Sequence, residues 1–191
     1  MTVLVDFIIV GVIMCRSVLR CFTQFQSAAS LQACGCQAIA CLAMSDQNRA
    51  MLLEHGNAGV LLLSALNMHR DDITVQENAC KAISYVVRSD ECYQLEVVQN
   101  TELMSWLLTT LSMHNNDEEV VEQCFWALRT LASTEEAQRL LVNFSWDPPI
   151  YELAVKALDN ESFCSEEGVL SSACGLLEAL CSSGKCTLVI R

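Results

Sequence analysis

Proline is nearly missing from this chain: its two residues stand side by side at Pro148 and Pro149 among 191. Glycine is scarce as well, with 7 residues, and aromatic residues make up only 6%. With so few breakers and plentiful Leu, Ala and Glu, the balance favours helices over strands. Basic residues are short too, 11 against 23 acidic, for a formal net charge of −12. Proteins whose main activity is gripping a phosphate backbone concentrate Lys and Arg, so nucleic acid is not an expected partner.

The usual signs of chemistry are also lacking. There is no Gly-rich phosphate loop, no G-x-S-x-G elbow and no H-E-x-x-H pair, so neither catalysis nor a cofactor is expected. Cys34, Cys36 and Cys41 are dense enough to suggest a metal, but 34 and 36 point about 200° apart on one helix. No second Cys pair, His or Asp stands near them, so no metal site is expected. His69 and His114 recur at one position of the pattern described below, which points to a structural role, a bond to the last helical carbonyls.

The start, Met1 to Met14, is apolar enough to raise a signal peptide or an anchor. It has no basic opening and no small-residue cleavage site, carries Asp6, and meets Arg16 and Arg20 too early. A bilayer span needs roughly 20 apolar residues, so no membrane insertion is expected. Cysteine, by contrast, is abundant, with 12 residues lying mostly inside helical patterns. Most are expected to be buried free thiols in a reducing cytosol or nucleus. The sequons at Asn143 and Asn160 then occur by chance.

What is present is a period. Leu31 to Ala43, Val75 to Val87 and Val120 to Ala132 superpose at offsets of 44 and 45, and Val169 to Cys181 follows 49 residues later. The excess is taken up around Asp147-Pro148-Pro149 and in residues 160–167. In each copy apolar residues fall at steps of four, four and three, as in Val75, Ala79, Ile83 and Val86, one buried stripe of a helix. The second stripe position is always small, Gly35, Ala79, Cys124 or Ala173, as a close helix crossing requires. Polar pairs at Ser45-Asp46, Ser89-Asp90 and Ser133-Thr134 can cap a further helix, running through 48–55, 92–99 and 135–142 to stops at Gly56, Asn100 and Asn143. A third pattern, Leu61 to His69 against Trp106 to His114, shares its Leu-x-Met-His ending.

The repeat is therefore three helices. Gly11 lies 45 residues before Gly56, which makes Met1 to Val10 the first helix of the first copy and residues 12–23 its second. The copies run at about 1–44, 45–88, 89–133 and 134–183, with a tail at 184–191. An apolar first helix asks for cover, since terminal repeats need a polar outer face. A longer array cut at both ends, or edge-to-edge self-association through the N-terminal repeat, is expected; Cys186 to Arg191 reads as the start of another helix.

These features resemble the armadillo repeat: a helix ending at Gly or Asn, a second helix, then a third reading V-x-x-x-A-x-x-A-L/I-x-x-L-A, as in Val75 to Val87 and Val120 to Ala132. HEAT repeats are the rival, but they have two helices where this pattern has three. The resemblance implies an all-α fold, a right-handed α-solenoid of about four three-helix armadillo repeats. It also implies that the third helices line a groove holding a protein partner or peptide, in the cytoplasm or nucleus. Nuclear-import adaptors carry W-A-L-x-N on that helix. Here Trp126-Ala127-Leu128 has Thr130 at the Asn position, and the other copies have Gln37 and Cys41, Lys81 and Tyr85, and Gly175 and Ala179. An import role is thus the weaker alternative to a scaffold or to a regulatory segment of a larger multidomain signalling protein.

At 100° per residue the face opposite the apolar stripe holds Glu77, Lys81, Ser84, Tyr85 and Arg88 in one copy and Glu122, Trp126, Arg129, Thr130 and Ser133 in the next. Lys81, Tyr85, Arg88, Trp126, Arg129 and Thr130 are the candidate partner-binding residues, a composition that dominates binding hot spots. They suit an acidic or aromatic-containing peptide. The alternative is that Trp126 packs sideways on a neighbouring repeat while the charges solvate the face.

Overall fold

The structure is a computed structural model describing residues 2–56, 58–88, 90–143 and 146–182, with backbone alone at 2–9, 55 and 56. Among them there are helices and no strand. In chain order these are α1 (Thr2–Gln24), α2 (Ala29–Leu42), α3 (Asp46–Gly56), α4 (Ala58–Met68), α5 (Ile73–Val86), α6 (Glu91–Gln99), α7 (Thr101–Met113), α8 (Glu118–Leu131), α9 (Glu135–Asn143), α10 (Ile150–Leu158) and α11 (Glu167–Cys181), with a 3-10 turn at Glu161–Phe163. Residues 1–86 and 87–191 form two compact units. In the first, α2 packs along α5, α4 along α5, and α1 on α2 and α3. In the second, α8 packs along α11, α10 along α11, α6 on α9 and α7 on α8.

The apolar stripes make these cores. Val75, Ala79, Ile83 and Val86 of α5 are all at most 1% exposed, and Val120, Cys124, Leu128 and Leu131 of α8 are fully buried. The rule frays at its ends: Leu31 is 46% exposed on α2, where burial begins instead at Gln32 and Ala33. Leu177 of α11 is half-buried. The small second position is accounted for in α2, where a Cβ on Gly35 would run into the buried ring of Phe22 from α1.

One expectation fails at the start of the chain. Residues 2–24 form a single helix running through Gly11, not two helices broken there. The difference lies in the capping chemistry. Asn100 closes α6, its N–H donating to the Glu96 and Val97 carbonyls, and opens α7, its side chain accepting from the Leu103 N–H at 3.1 Å. After Gly11 come Val12, Ile13 and Met14, which offer no side-chain acceptor for a new helix, so the ladder continues. A glycine inside a helix costs only about 0.5–1 kcal/mol. Gly11 is there for a close approach: a Cβ would collide with the Asn48 side chain of α3. The α1 stripe Gly11, Cys15, Leu19 and Phe22 is buried, whereas Val10, Ile13 and Met14 face outward, exposed.

Buried polar side chains tie the corners. Gln32 donates its amide to the Phe22 and Phe25 carbonyls at 2.9 and 3.1 Å, and Gln76 does the same to Leu66 and His69 at 3.0 and 2.8 Å. Each thereby serves a carbonyl that the end of a helix leaves orphaned, Phe22 or Leu66, and adds a second donor to one that the turn already bonds, Phe25 from Ala28 and His69 from Asp72. A second device caps the third helices: Arg49, Gln94 and Gln138 donate to the carbonyls of Ala43, Val87 and Ala132 at 3.0, 2.8 and 3.0 Å. Asp90 and Thr134 cap the starts of α6 and α9 as their positions suggested, accepting from the N–H of Tyr93 and Ala137. His69 does not bond its own helix end; its ring nitrogen lies 2.6 Å from the Gln26 carbonyl in the turn after α1.

The cysteines also depart from expectation. All eleven described are free thiols, but only Cys15, Cys36, Cys80 and Cys124 are buried, while seven are exposed. Cys34, Cys41 and Cys174 occupy outward faces of α2 and α11. An apolar neighbourhood in sequence does not decide which face of a helix is covered. The suggested helix at 186–191, and residues 144 and 145 of the first sequon, lie outside the described residues.

Candidate functional site

The candidate residues are distributed over both units. In the first, Lys81 and Tyr85 stand one turn apart on α5, both half-buried, with Glu77 half-buried a turn before them. Ser84 does not share the open face: it is 2% exposed, and its hydroxyl donates back to the Lys81 carbonyl at 2.7 Å. Ser84 lies about 100° round α5 from Ile83, so its burial comes from the cover of neighbouring elements and not from a place on the stripe.

The second unit holds the rest. Arg88 is exposed, two residues past the end of α5. Trp126 is 48% exposed on α8, a large apolar ring half open to solvent. Thr130 folds its hydroxyl onto the Trp126 carbonyl at 2.9 Å, so the side chain is engaged within the helix. Arg129 is exposed along one edge yet leans on α11, with its Nη1 2.7 Å from where a Cβ of Gly175 would stand. About two turns earlier, the Glu122 carboxylate rests in the same manner on Gly168. The two glycines of α11 thus make room for one acid and one base of α8. That arrangement was not legible in the α8 sequence, and its signal lay in two glycines inside an otherwise helical segment. Ser133 is exposed, and its hydroxyl meets the Gln94 side-chain oxygen.

Electrostatically the N-terminal ends of α8 and α11 are strained by acids. The fully exposed Glu118 carboxyl is pushed above its ordinary value, chiefly by the charge of Glu166 and then by Glu119. Among thiols, Cys36 is held far above the usual range by burial and the adjacent Cys80, and Cys15 is raised by burial. These thiols are protonated and inert, unlike the activated cysteine of a nucleophilic site.

Among the described residues no group of three His, Cys, Asp or Glu side chains is placed to hold a metal ion. No described helix is long and apolar enough to cross a membrane. A cleft of about 750 Å³ opens in the second unit between α7 and α10, lined by Leu111, Val121, Phe125, Glu152 and Lys156 among others. Sequence periodicity gave no sign of it.

A family model described as the LRRK2 ARM repeat matches residues 2–190. No curated protein matches the chain, and neither does any solved structure. The match agrees with what the helices show independently, an α-solenoid of armadillo type, a helical scaffold class whose members generally mediate protein interactions. The chain belongs to the LRRK2 ARM repeat family.

Proposed function

We propose that this chain is a non-catalytic scaffold that holds a protein partner or peptide on its third-helix faces. Trp126, Arg129, Thr130 and Arg88 engage it on the second unit, and Lys81 and Tyr85 on the first. The single observation that carries this reading is Trp126, whose indole stays 48% exposed on a helix with an otherwise fully covered apolar stripe. A half-open tryptophan with arginine beside it is the composition from which interface hot spots are made. The partner it suits is acidic or carries aromatic residues. The division into copies at 1–44, 45–88, 89–133 and 134–183, and a place in the cytoplasm or nucleus, belong to the same proposal.

The test is an array of 12-residue peptides varied in acidic and aromatic content, probed with the chain and with Trp126→Ala. Loss of most signal at unchanged helicity and melting supports the reading. An unchanged array sinks it, and a large drop in melting temperature makes Trp126 a packing residue instead.

A second reading is a regulatory segment of a larger multidomain signalling protein, favoured by the family, which takes its name from the armadillo repeats of LRRK2. Full-length transcripts and the size of the endogenous protein on an immunoblot separate the two. Exposed Val10, Ile13 and Met14 on α1 support the further proposal of self-association through the N-terminal repeat. Light scattering across a concentration series tests that, with Ile13→Lys expected to keep the chain monomeric.

A further inference from the structure

The corner between α7 and α8 lacks the device that closes the equivalent corners of the first unit. There, Gln32 and Gln76 each send an amide to the last-turn carbonyls of the preceding helix. At the same position α8 has Val121, whose side chain donates nothing, and the Leu111 carbonyl, counterpart of that of Leu66, has no such amide to accept from. The cleft of about 750 Å³ lies at this corner, and both Leu111 and Val121 line it. Its floor is apolar, with Leu111, Val121, Phe125 and Ala157 all buried. Its rim carries Glu152 and Asp159 against one base, Lys156, with Asn115 and Asn116 beside them.

We infer that this cleft is a docking site for an extended peptide anchored by an arginine side chain. The methylene stem of arginine matches the apolar floor, and its planar fork of donors matches the rim carboxylates and the helix-end carbonyl that no glutamine serves. The sign of the rim agrees with that of the whole chain, whose net charge of −12 draws cationic segments toward it. The site shares no residue with the proposed third-helix faces and does not depend on that reading.

The probe is a fluorescein-labelled hexapeptide with a central leucine–arginine pair flanked by serine and glycine, beside the same peptide with neutral citrulline in place of arginine. Binding to the full chain is read by anisotropy and by amide shifts in a nitrogen-15 spectrum. The arginine peptide is expected to bind at least tenfold tighter than the citrulline one and to shift the amides of Leu111, Val121 and Leu153. Combining Glu152→Gln with Asp159→Asn should weaken it to the citrulline level, and Lys156→Gln should strengthen it. Val121→Gln, which restores the glutamine of the other corners, should abolish binding while melting stays level or rises; Trp126→Ala should leave it unchanged. Equal binding of the two peptides, binding undisturbed by Val121→Gln, or no shifts at millimolar peptide would overturn the inference.

Discussion

The guanidinium of Arg129 on α8 lies across Gly175 of α11, so close that a single added carbon on the glycine would sit 2.7 Å from Nη1. The atoms in the way belong to the far end of a flexible side chain. Gly175→Ala is therefore expected to displace the arginine and leave the fold intact, with stability level or up by as much as about 1 kcal/mol from helix propensity. Thermal melting checks the fold, and the peptide array should lose those ligands that need Arg129. A melting temperature lowered by several degrees would show that the guanidinium is locked in place.

Gly35→Ala should behave in the opposite way. The added carbon meets the ring of Phe22, which is 2% exposed and has no room to move. Overpacking of this kind costs about 1–3 kcal/mol, measurable by urea unfolding of the purified chain.

Leu128→Ala, on the buried stripe two residues from Trp126, should destabilise by roughly 2–5 kcal/mol. Paired with Trp126→Ala in the same unfolding experiment, it separates the packed side of α8 from its open side. Comparable losses from both would contradict the difference in exposure.

Gln76→Leu removes the amide that serves the Leu66 and His69 carbonyls. The His69 carbonyl keeps the Asp72 N–H, but the Leu66 carbonyl loses its donor, which is expected to cost about 1–3 kcal/mol. Hydrogen exchange at the α4–α5 corner should rise with it, and an unchanged exchange pattern would count against the corner's dependence on that amide.

Titration gives a further check at Glu118. Its carboxyl is raised above the ordinary 4.5 by Glu166 and Glu119, so ionisation is harder in the folded chain than in the unfolded one. The fold accordingly loses stability as pH rises from 4.5 through the raised value, and the loss persists at neutral pH. Glu118→Gln should melt slightly higher than the parent at pH 7 in low salt, and the two should converge below pH 4.5.

Much of the fold was legible because its signals are local. The four-four-three steps of Val75, Ala79, Ile83 and Val86 mark a buried face, and Asp90, Asn100 and Thr134 mark helix ends with side chains that reach their own backbone. What the chain did not disclose depends on neighbours. The exposure of Leu31, the inward turn of Ser84 and the open position of Cys34, Cys41 and Cys174 are decided by whether another helix lies over that spot, which periodicity along one helix does not carry. Gly11, 45 residues before Gly56, matches the position of a helix stop but is followed by no side-chain acceptor, so α1 runs on through it. Of the candidate residues, Trp126 was found where α8's helical angle put it, but the seats of Glu122 and Arg129 are recorded in the glycines of a different helix.

The corner glutamines act as gauges of chain length. Gln32 and Gln76 each reach back ten residues and seven residues to the carbonyls they serve, across links of four residues, 25–28 and 69–72. One inserted residue would carry those carbonyls out of range, so these surface turns, unlike most, are closed to insertion. Between α10 and α11 the link is eight residues, 159–166, and the gauge position holds Leu170. Without the glutamine a turn is free to lengthen but not obliged to, since the α7–α8 link, 114–117, keeps four residues with Val121 at that position. The longer α10–α11 turn is where new sequence could enter with no such bond to break.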